Sequence, residues 1–117
     1  MTAEGRRSAL TIEVRRTDEG VHVTVGGELD LATADELTAA VGSPVASDRS
    51  ITIDCGGLTF LDSVGIRAFV ELHNEAATAG VDFRLVRVPP MVRRVLEITQ
   101  LLDVLHVLDA EPPPGEG

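Results

Sequence analysis

Thr59-Phe60-Leu61-Asp62-Ser63-Val64-Gly65 is the stretch at which the chain leaves a strand, turns and enters a helix, and its reading decides the fold. Ahead of it, Ser50-Ile51-Thr52-Ile53-Asp54-Cys55 reads as a buried strand. Behind it, a helix is expected from about Val64 to Ala79, with Gly80 as its left-handed C-cap. In open α/β sheets, ligands and partners collect at the carboxyl ends of strands, because helix N-termini point there. Ser63 stands near such a terminus, so its hydroxyl is expected to be accessible.

Upstream, Leu10 to Arg15 and Val21 to Val25 alternate apolar and polar residues around the turn Asp18-Glu19-Gly20, which predicts a β-hairpin with one buried face. His22 has the opposite parity to Val21, Val23 and Val25 and is expected to face solvent. Gly26 to Asp30 ends the second strand. Thr33 followed three residues on by Glu36 matches a capping box, and Leu37, Ala40 and Val41 supply the apolar stripe of a helix that Gly42-Ser43-Pro44 should end early.

Downstream, Gly56-Gly57 marks a bend, and beside it Cys55 reads as core. Ile66, Phe69, Val70, His73 and Ala77 recur at helical spacing, with His73 at the edge of the stripe. Val81 to Val88 alternates as a further strand, and Pro89-Pro90 introduces a short helix. In it Met91, Val92, Val95, Leu96 and Thr99 should face inward, with Arg93, Arg94 and Glu97 outward. Leu101 to Leu108 suits either a short strand or a helical turn. Residues 1–9 read as a flexible leader and 109–117 as a disordered tail. The order β-β-α-β-α-β-α, with one further short element, predicts a single α/β domain over residues 10–108. Its mixed sheet has four to five strands flanked by helices.

Composition narrows the function. In 117 residues there are three Phe and no Trp or Tyr, so the core must be built from aliphatic side chains. A net charge of -9 argues against nucleic acid and anionic membranes, which need clustered positive charge. All ten basic residues are Arg, so a Walker A loop, a Schiff base and the lysine of a receiver domain are excluded. The single cysteine, Cys55, allows neither a disulfide framework nor zinc-ligand spacing. With no signal peptide or membrane-length apolar run, a cytoplasmic location is expected.

Four readings of Asp62-Ser63-Val64-Gly65 stand on the residues alone. Ser63 could be the helix N-cap, a contribution of about 1 kcal/mol. It could be a hydrolytic nucleophile, although Leu61 stands where a nucleophile elbow needs glycine and none of His22, His73 or His106 is an obvious base. Asp62 could accept a phosphoryl group, in a chain that lacks the usual lysine. Finally, Ser63 could be phosphorylated, its phosphate meeting the free amides and positive dipole end of the helix and changing the charge of an exposed corner.

Three motifs in order carry a resemblance: Gly27-Glu28-Leu29-Asp30; Ile53-Asp54 leading through Leu58-Thr59-Phe60-Leu61 to Asp62-Ser63-Val64-Gly65; and Val92 to Thr99. Together they resemble the STAS domain of bacterial anti-sigma-factor antagonists over roughly Leu10 to Leu108. The resemblance implies a non-enzymatic, partner-switching regulator of transcription, as in stress response or sporulation. Its unphosphorylated form binds an anti-sigma factor, a serine kinase, and frees a sigma factor; a PP2C-type phosphatase reverses the modification. By position Ser63 is the implied phospho-acceptor, with Asp62, Asp30, Thr59 and Gly65 shaping its corner. Glu28, Asp30, Asp62, Ser63, Val64 and Arg67 form the implied docking surface. No cofactor is implied for this chain, since ATP and magnesium belong to the kinase. The oligomeric state is left between monomer and weak dimer. Val64 replaces the second Ser or Thr frequent in the family, leaving Ser63 as the one hydroxyl in the motif's centre. Cys55 also departs from the usual residues at its place. An alternative is a STAS subunit of a signalling scaffold or membrane-transporter complex, in which Ser63 only caps its helix.

Overall fold

The computed structural model describes residues 9–47, 50–105 and 107–108. The expected tail, most of the leader and His106 lie outside the described residues. Seven elements follow in the expected order: β1 (Leu10–Thr17), β2 (Gly20–Leu29), α1 (Ala34–Ser47), β3 (Ser50–Leu61), α2 (Ser63–Ala79), β4 (Asp82–Val86) and α3 (Pro90–Ile98). They form one mixed sheet in the order β1-β2-β3-β4. β1 runs antiparallel to β2, while β2, β3 and β4 are parallel.

Period-2 alternation puts one row of β2, β3 and β4, joined by Leu10 of β1, into a single core. Val21, Val23 and Val25, Ile51, Ile53 and Cys55, and Phe83 and Leu85 meet Leu37 and Val41 of α1, Phe69 and Leu72 of α2, and Val92 and Leu96 of α3. The alternate positions His22, Thr24, Thr52, Asp54 and Arg84 are half-buried or exposed. The fold is thus a two-layer α/β domain with one face of the sheet covered.

Several expectations are corrected. β3 does not stop at Cys55 but runs to Leu61, because β2 also continues and the pair extends to Leu29↔Leu61. Two register shifts, between Thr24 and Gly26 and between Gly27 and Glu28, absorb the bend expected of Gly56-Gly57. A Cβ on Gly57 would lie 3.2 Å from the Gly26 Cα, so glycine lets the backbones close there. α1 runs on through Pro44 to Ser47 rather than ending at Gly42-Ser43-Pro44. Proline costs one backbone hydrogen bond, but a helix already nucleated and anchored by buried Leu37 and Val41 propagates cheaply.

In α2 the inward stripe is Gly65, Ala68, Phe69, Leu72 and Ala76, one step out of phase with the expectation. Gly65 in this stripe closes on the Leu29 backbone, and the bulkier Ile66 and Val70 flank it partly buried. Ala77 is exposed, and His73 is a boundary residue, edge-on to Phe83 at 5.9 Å. Gly80 caps the helix with φ 76°. β4 ends at Val86 rather than Val88, because Arg87 turns left-handed (φ 53°) and its Nε donates to Asp54 at 3.1 Å. α3 has nine residues and buries only Val92 and Leu96. Met91 is 39% exposed, and Thr99 lies beyond the helix with its hydroxyl on the Val95 carbonyl at 2.9 Å, so neither faces inward. The last element is a turn that buries Leu105, followed by an isolated parallel bridge of Val107 to Leu85.

Candidate functional site

Beyond Asp54↔Val86, β3 loses its β4 neighbour, and the part from Gly57 to Leu61 pairs with β2 alone. This two-stranded arm carries the corner. At its end Leu61 is buried, the chain turns at Asp62, and α2 begins at Ser63.

Asp62, not Ser63, is the N-cap of α2. Its backbone is extended (φ -111°, ψ -174°) and one oxygen, Oδ1, accepts the amides of Val64 and Gly65, both at 2.9 Å. The other, Oδ2, accepts the Leu31 amide at 3.3 Å. A carboxylate outcompetes a hydroxyl for these donors, because the acceptor is charged and sits at the positive end of the helix. Two consequences follow. Ser63 stands at the first helical position with an exposed side chain, and no hydrogen bond to another described residue engages its hydroxyl. The amides expected to receive a phosphate there are already taken by Asp62.

Gly65 explains how the helix start seats against the arm. A Cβ there would lie 2.5 Å from the Leu29 carbonyl oxygen and 2.8 Å from Leu61 Cδ1, so only glycine permits this approach. The Asp62 amide also reaches the Leu29 carbonyl at 3.3 Å.

The β2-α1 loop forms the second wall. Asp30 Oδ1 accepts the Ala32 amide at 3.0 Å, and the Thr33 hydroxyl accepts the Asp30 amide at 3.0 Å while donating to the Glu28 carbonyl at 2.8 Å. Thr33 does precede α1, as the capping box requires, but its hydroxyl serves the loop; the Glu36 amide donates to the Thr33 carbonyl instead. Thr33 is buried, and Asp30 is half-buried.

The structure therefore brings Asp30, Asp62, Ser63, Val64 and Gly65 together. Thr59 and Glu28 lie further back on the arm, both exposed; the Thr59 hydroxyl donates to the Gly27 carbonyl at 3.2 Å rather than entering the corner. Arg67 is exposed one turn along α2 on the same side as Ser63. Two residues were missed by the motif reading. Leu31, 76% exposed, and Phe60, 46% exposed, present apolar surface on the loop and the arm. A leucine inside an acidic turn was the available signal.

Neither described histidine can serve Ser63 as a base. His73 is ten residues along the same helix, about 15 Å away, and His22 lies seven residues before the end of β2, about 23 Å along the strand. Among the described residues no group of three or more His, Cys, Asp or Glu could hold a metal ion. No described helix is long and apolar enough to cross a membrane. Burial pushes the Cys55 thiol up to about 12, with the Asp54 carboxylate adding to the effect, so this cysteine is an inert core residue.

A two-layer mixed α/β sheet with a capped serine corner at the end of β3 defines the class, and comparison with known proteins names it. The family model described as STAS domain matches residues 11–111, and the chain belongs to the STAS domain family. Its relatives include the anti-sigma-B factor antagonist of Staphylococcus aureus (strain NCTC 8325 / PS 47). That protein is 32% identical over 100 residues, which are 84% of this chain and 92% of the relative. An anti-sigma factor antagonist from Mycobacterium paratuberculosis superposes with TM-score 0.78 at 29% identity, covering 87% of each chain. The anti-sigma factor antagonist SpoIIAA in its unphosphorylated form superposes with TM-score 0.74, covering 91% of this chain and 93% of that one. At 21% identity this last likeness is one of fold.

Proposed function

We propose that this chain is an anti-sigma-factor antagonist whose bare Ser63 corner docks an anti-sigma factor and is switched off by phosphorylation of Ser63. The observation that carries the reading is the exposed Ser63 hydroxyl at the first position of α2, engaged by no other described residue and beside an Asp62 carboxylate that already occupies the Val64 and Gly65 amides. A phosphate there adds about -1.5 to -2 charge. With the nearby amides taken, it meets a carboxylate rather than open donors and stays on the surface. The domain keeps its fold, and a partner surface shaped for a neutral corner is repelled.

Around Ser63, exposed Leu31 and Phe60, half-buried Val64 and exposed Arg67 and Glu28 supply the mixed apolar and charged contacts of a docking surface. Asp62 and Gly65 hold the corner in shape, and Asp30 and Thr33 hold its second wall. The kinase is the anti-sigma factor itself, bringing ATP and magnesium, and a PP2C-type phosphatase restores the serine. This chain contributes the acceptor and no catalytic group. The reading that Ser63 serves only as a helix cap loses its premise, since Asp62 is the cap.

The test uses an anti-sigma factor with serine-kinase activity from the same genome and Mg-ATP. One phosphate should appear at Ser63, none on Ser63→Ala, and Ser63→Asp should bind the anti-sigma factor at least about tenfold more weakly by calorimetry with an unchanged circular dichroism spectrum. Phosphate on Ser63→Ala, or undiminished affinity of Ser63→Asp, overturns the assignment.

A further inference from the structure

The two outer edges of the sheet are treated differently. At β4 the C-terminal segment folds back: Val107 bridges Leu85, and the Leu108 amide donates to the Leu85 carbonyl at 3.0 Å. At β1 no strand among the described residues pairs with the outer edge. Its residues from Glu13 to Thr17 are all exposed, and Val14 leaves 41% of its surface open. An open row of backbone donors and acceptors is a template for another strand. Soluble proteins blunt such an edge with charge, and β1 carries Glu13, Arg15 and Arg16. Their placement, however, is self-complementary.

We propose that β1 pairs edge to edge with β1 of a second copy of this chain, antiparallel, about a twofold axis through Val14. The axis follows from elimination. Leu10, Ile12 and Val14 share the helix-covered face, with Leu10 and Ile12 packed on the core, and Thr11, Glu13 and Arg15 share the other. An axis between two residues would oppose side chains that point to different faces of the sheet, bringing the helix-covered face of one copy onto the open face of the other. An axis at Glu13 opposes two carboxylates, and one at Arg15 opposes two guanidiniums. An axis at Ile12 or Arg16 leaves only a short overlap.

With the axis at Val14, Glu13 of each copy faces Arg15 of the other, Val14 faces Val14, Thr11 faces Thr17, and Ile12 faces Arg16, whose aliphatic stem can lie along it. Opposite charges meet, and the exposed valines cover one another. β1 itself holds one acid and two arginines in a protein of net charge -9, so this edge does not add to the repulsion between two acidic copies. The antiparallel arrangement points the carboxyl ends of β2 and β3 of the two copies in opposite directions. Both Ser63 corners stay open, and the dimer offers two of them.

An edge pair buries little, below the roughly 1,000 Å² of a stable interface, so the dimer is weak. Sedimentation equilibrium of the full chain up to about 1 mM, at 0.15 M salt, should show a monomer-dimer equilibrium. Glu13→Arg and Arg15→Glu, which each set like charges against one another twice, should weaken it at least about tenfold. The double variant Glu13→Arg/Arg15→Glu should restore it. Under mild oxidation Val14→Cys should form a disulfide dimer, because directly opposed residues stand about 4.5 to 5.5 Å apart at Cα. Glu13→Cys, whose opposite residue is Arg15, should cross-link far more slowly. A wild-type monomer throughout, no restoration in the double variant, or equal cross-linking from positions 13 and 14 overturns the proposal. None of these outcomes bears on phosphorylation at Ser63, so the two readings fail separately.

Discussion

The two halves of β3 differ in what holds them. From Ser50 to Asp54 the strand lies between β2 and β4, and Ile51 and Ile53 are fully buried. From Gly57 to Leu61 it has β2 alone, through shifted register, with Thr59 and Phe60 exposed. The first half is secured by non-directional burial. The second keeps Leu58 and Leu61 buried on its one neighbour β2, and its end is placed by polar bonds and a close backbone contact: Thr59 to Gly27, Asp62 to Leu31, Val64 and Gly65, and Gly65 against Leu29. The stable half thus serves as the mount, and the half that can be altered without unfolding the domain carries the serine.

That contrast can be broken at either end. The largest effect is expected for Ile53→Ala, which should cost about 2–5 kcal/mol of stability in a denaturant titration. At temperatures where the variant is still folded, phosphorylation of Ser63 should proceed as in the wild type. A site-specific defect there would mean that the halves are not separable.

Gly65→Ala should cost about 1–3 kcal/mol, since its Cβ meets a backbone oxygen that cannot swing away. It should also displace the start of α2, seen as amide chemical-shift changes centred on Leu31, Asp62 and Ser63. Shifts spread evenly over the sheet would contradict the local placement. Asp62→Ala should cost about 1 kcal/mol and raise hydrogen exchange at the Leu31, Val64 and Gly65 amides, with exchange at Ile51 and Ile53 lowered in protection only by the global loss. Unchanged exchange at those three amides would remove Asp62 from its role.

The smallest effect probes the mounted half through pH. The chain has no Lys and no Tyr, so Cys55 is its one side chain whose ordinary pKa falls between 9 and 12. The folded value is raised from 9.0 to about 12, so the unfolded chain ionises first. The contribution is intact below pH 9 and declines as pH rises from there toward 12. Denaturation midpoints should fall over that window in the wild type and stay level in Cys55→Ala. At pH 8 the thiol should react with a disulfide reagent only after unfolding.

Most of the architecture was legible from the chain. The alternation in β1, β2 and β4, the turn at Asp18-Glu19-Gly20, Gly80 as a C-cap and Pro90 at a helix start are local rules, and the described elements obey them. The length of β3 was not legible, because Gly56-Gly57 is a break by local rules and a bulge once β2 lies beside it. The phase of α2 was misread because hydrophobicity favours Ile66 and Val70, whereas the close approach of Gly65 to Leu29 turns Gly65 and Ala68 inward. In the corner, Ser63 and Asp62 could be named from their order, but their division of labour could not. Which of two adjacent acceptors takes the helix amides depends on backbone angles and on a loop 31 residues away.

The sequence by itself determined the order of the elements, the aliphatic core, the absence of lysine chemistry and the one central hydroxyl of the motif, because each depends on residue type and near spacing. Tertiary structure alone decided that Asp62 is the cap, that Ser63 is left unengaged by the other described residues, and that Gly65 seats the helix against Leu29. It also decided that Leu31 and Phe60 surface beside them. Those outcomes turn on contacts between segments far apart in the chain, and no local pattern encodes which of several competent partners will be within reach.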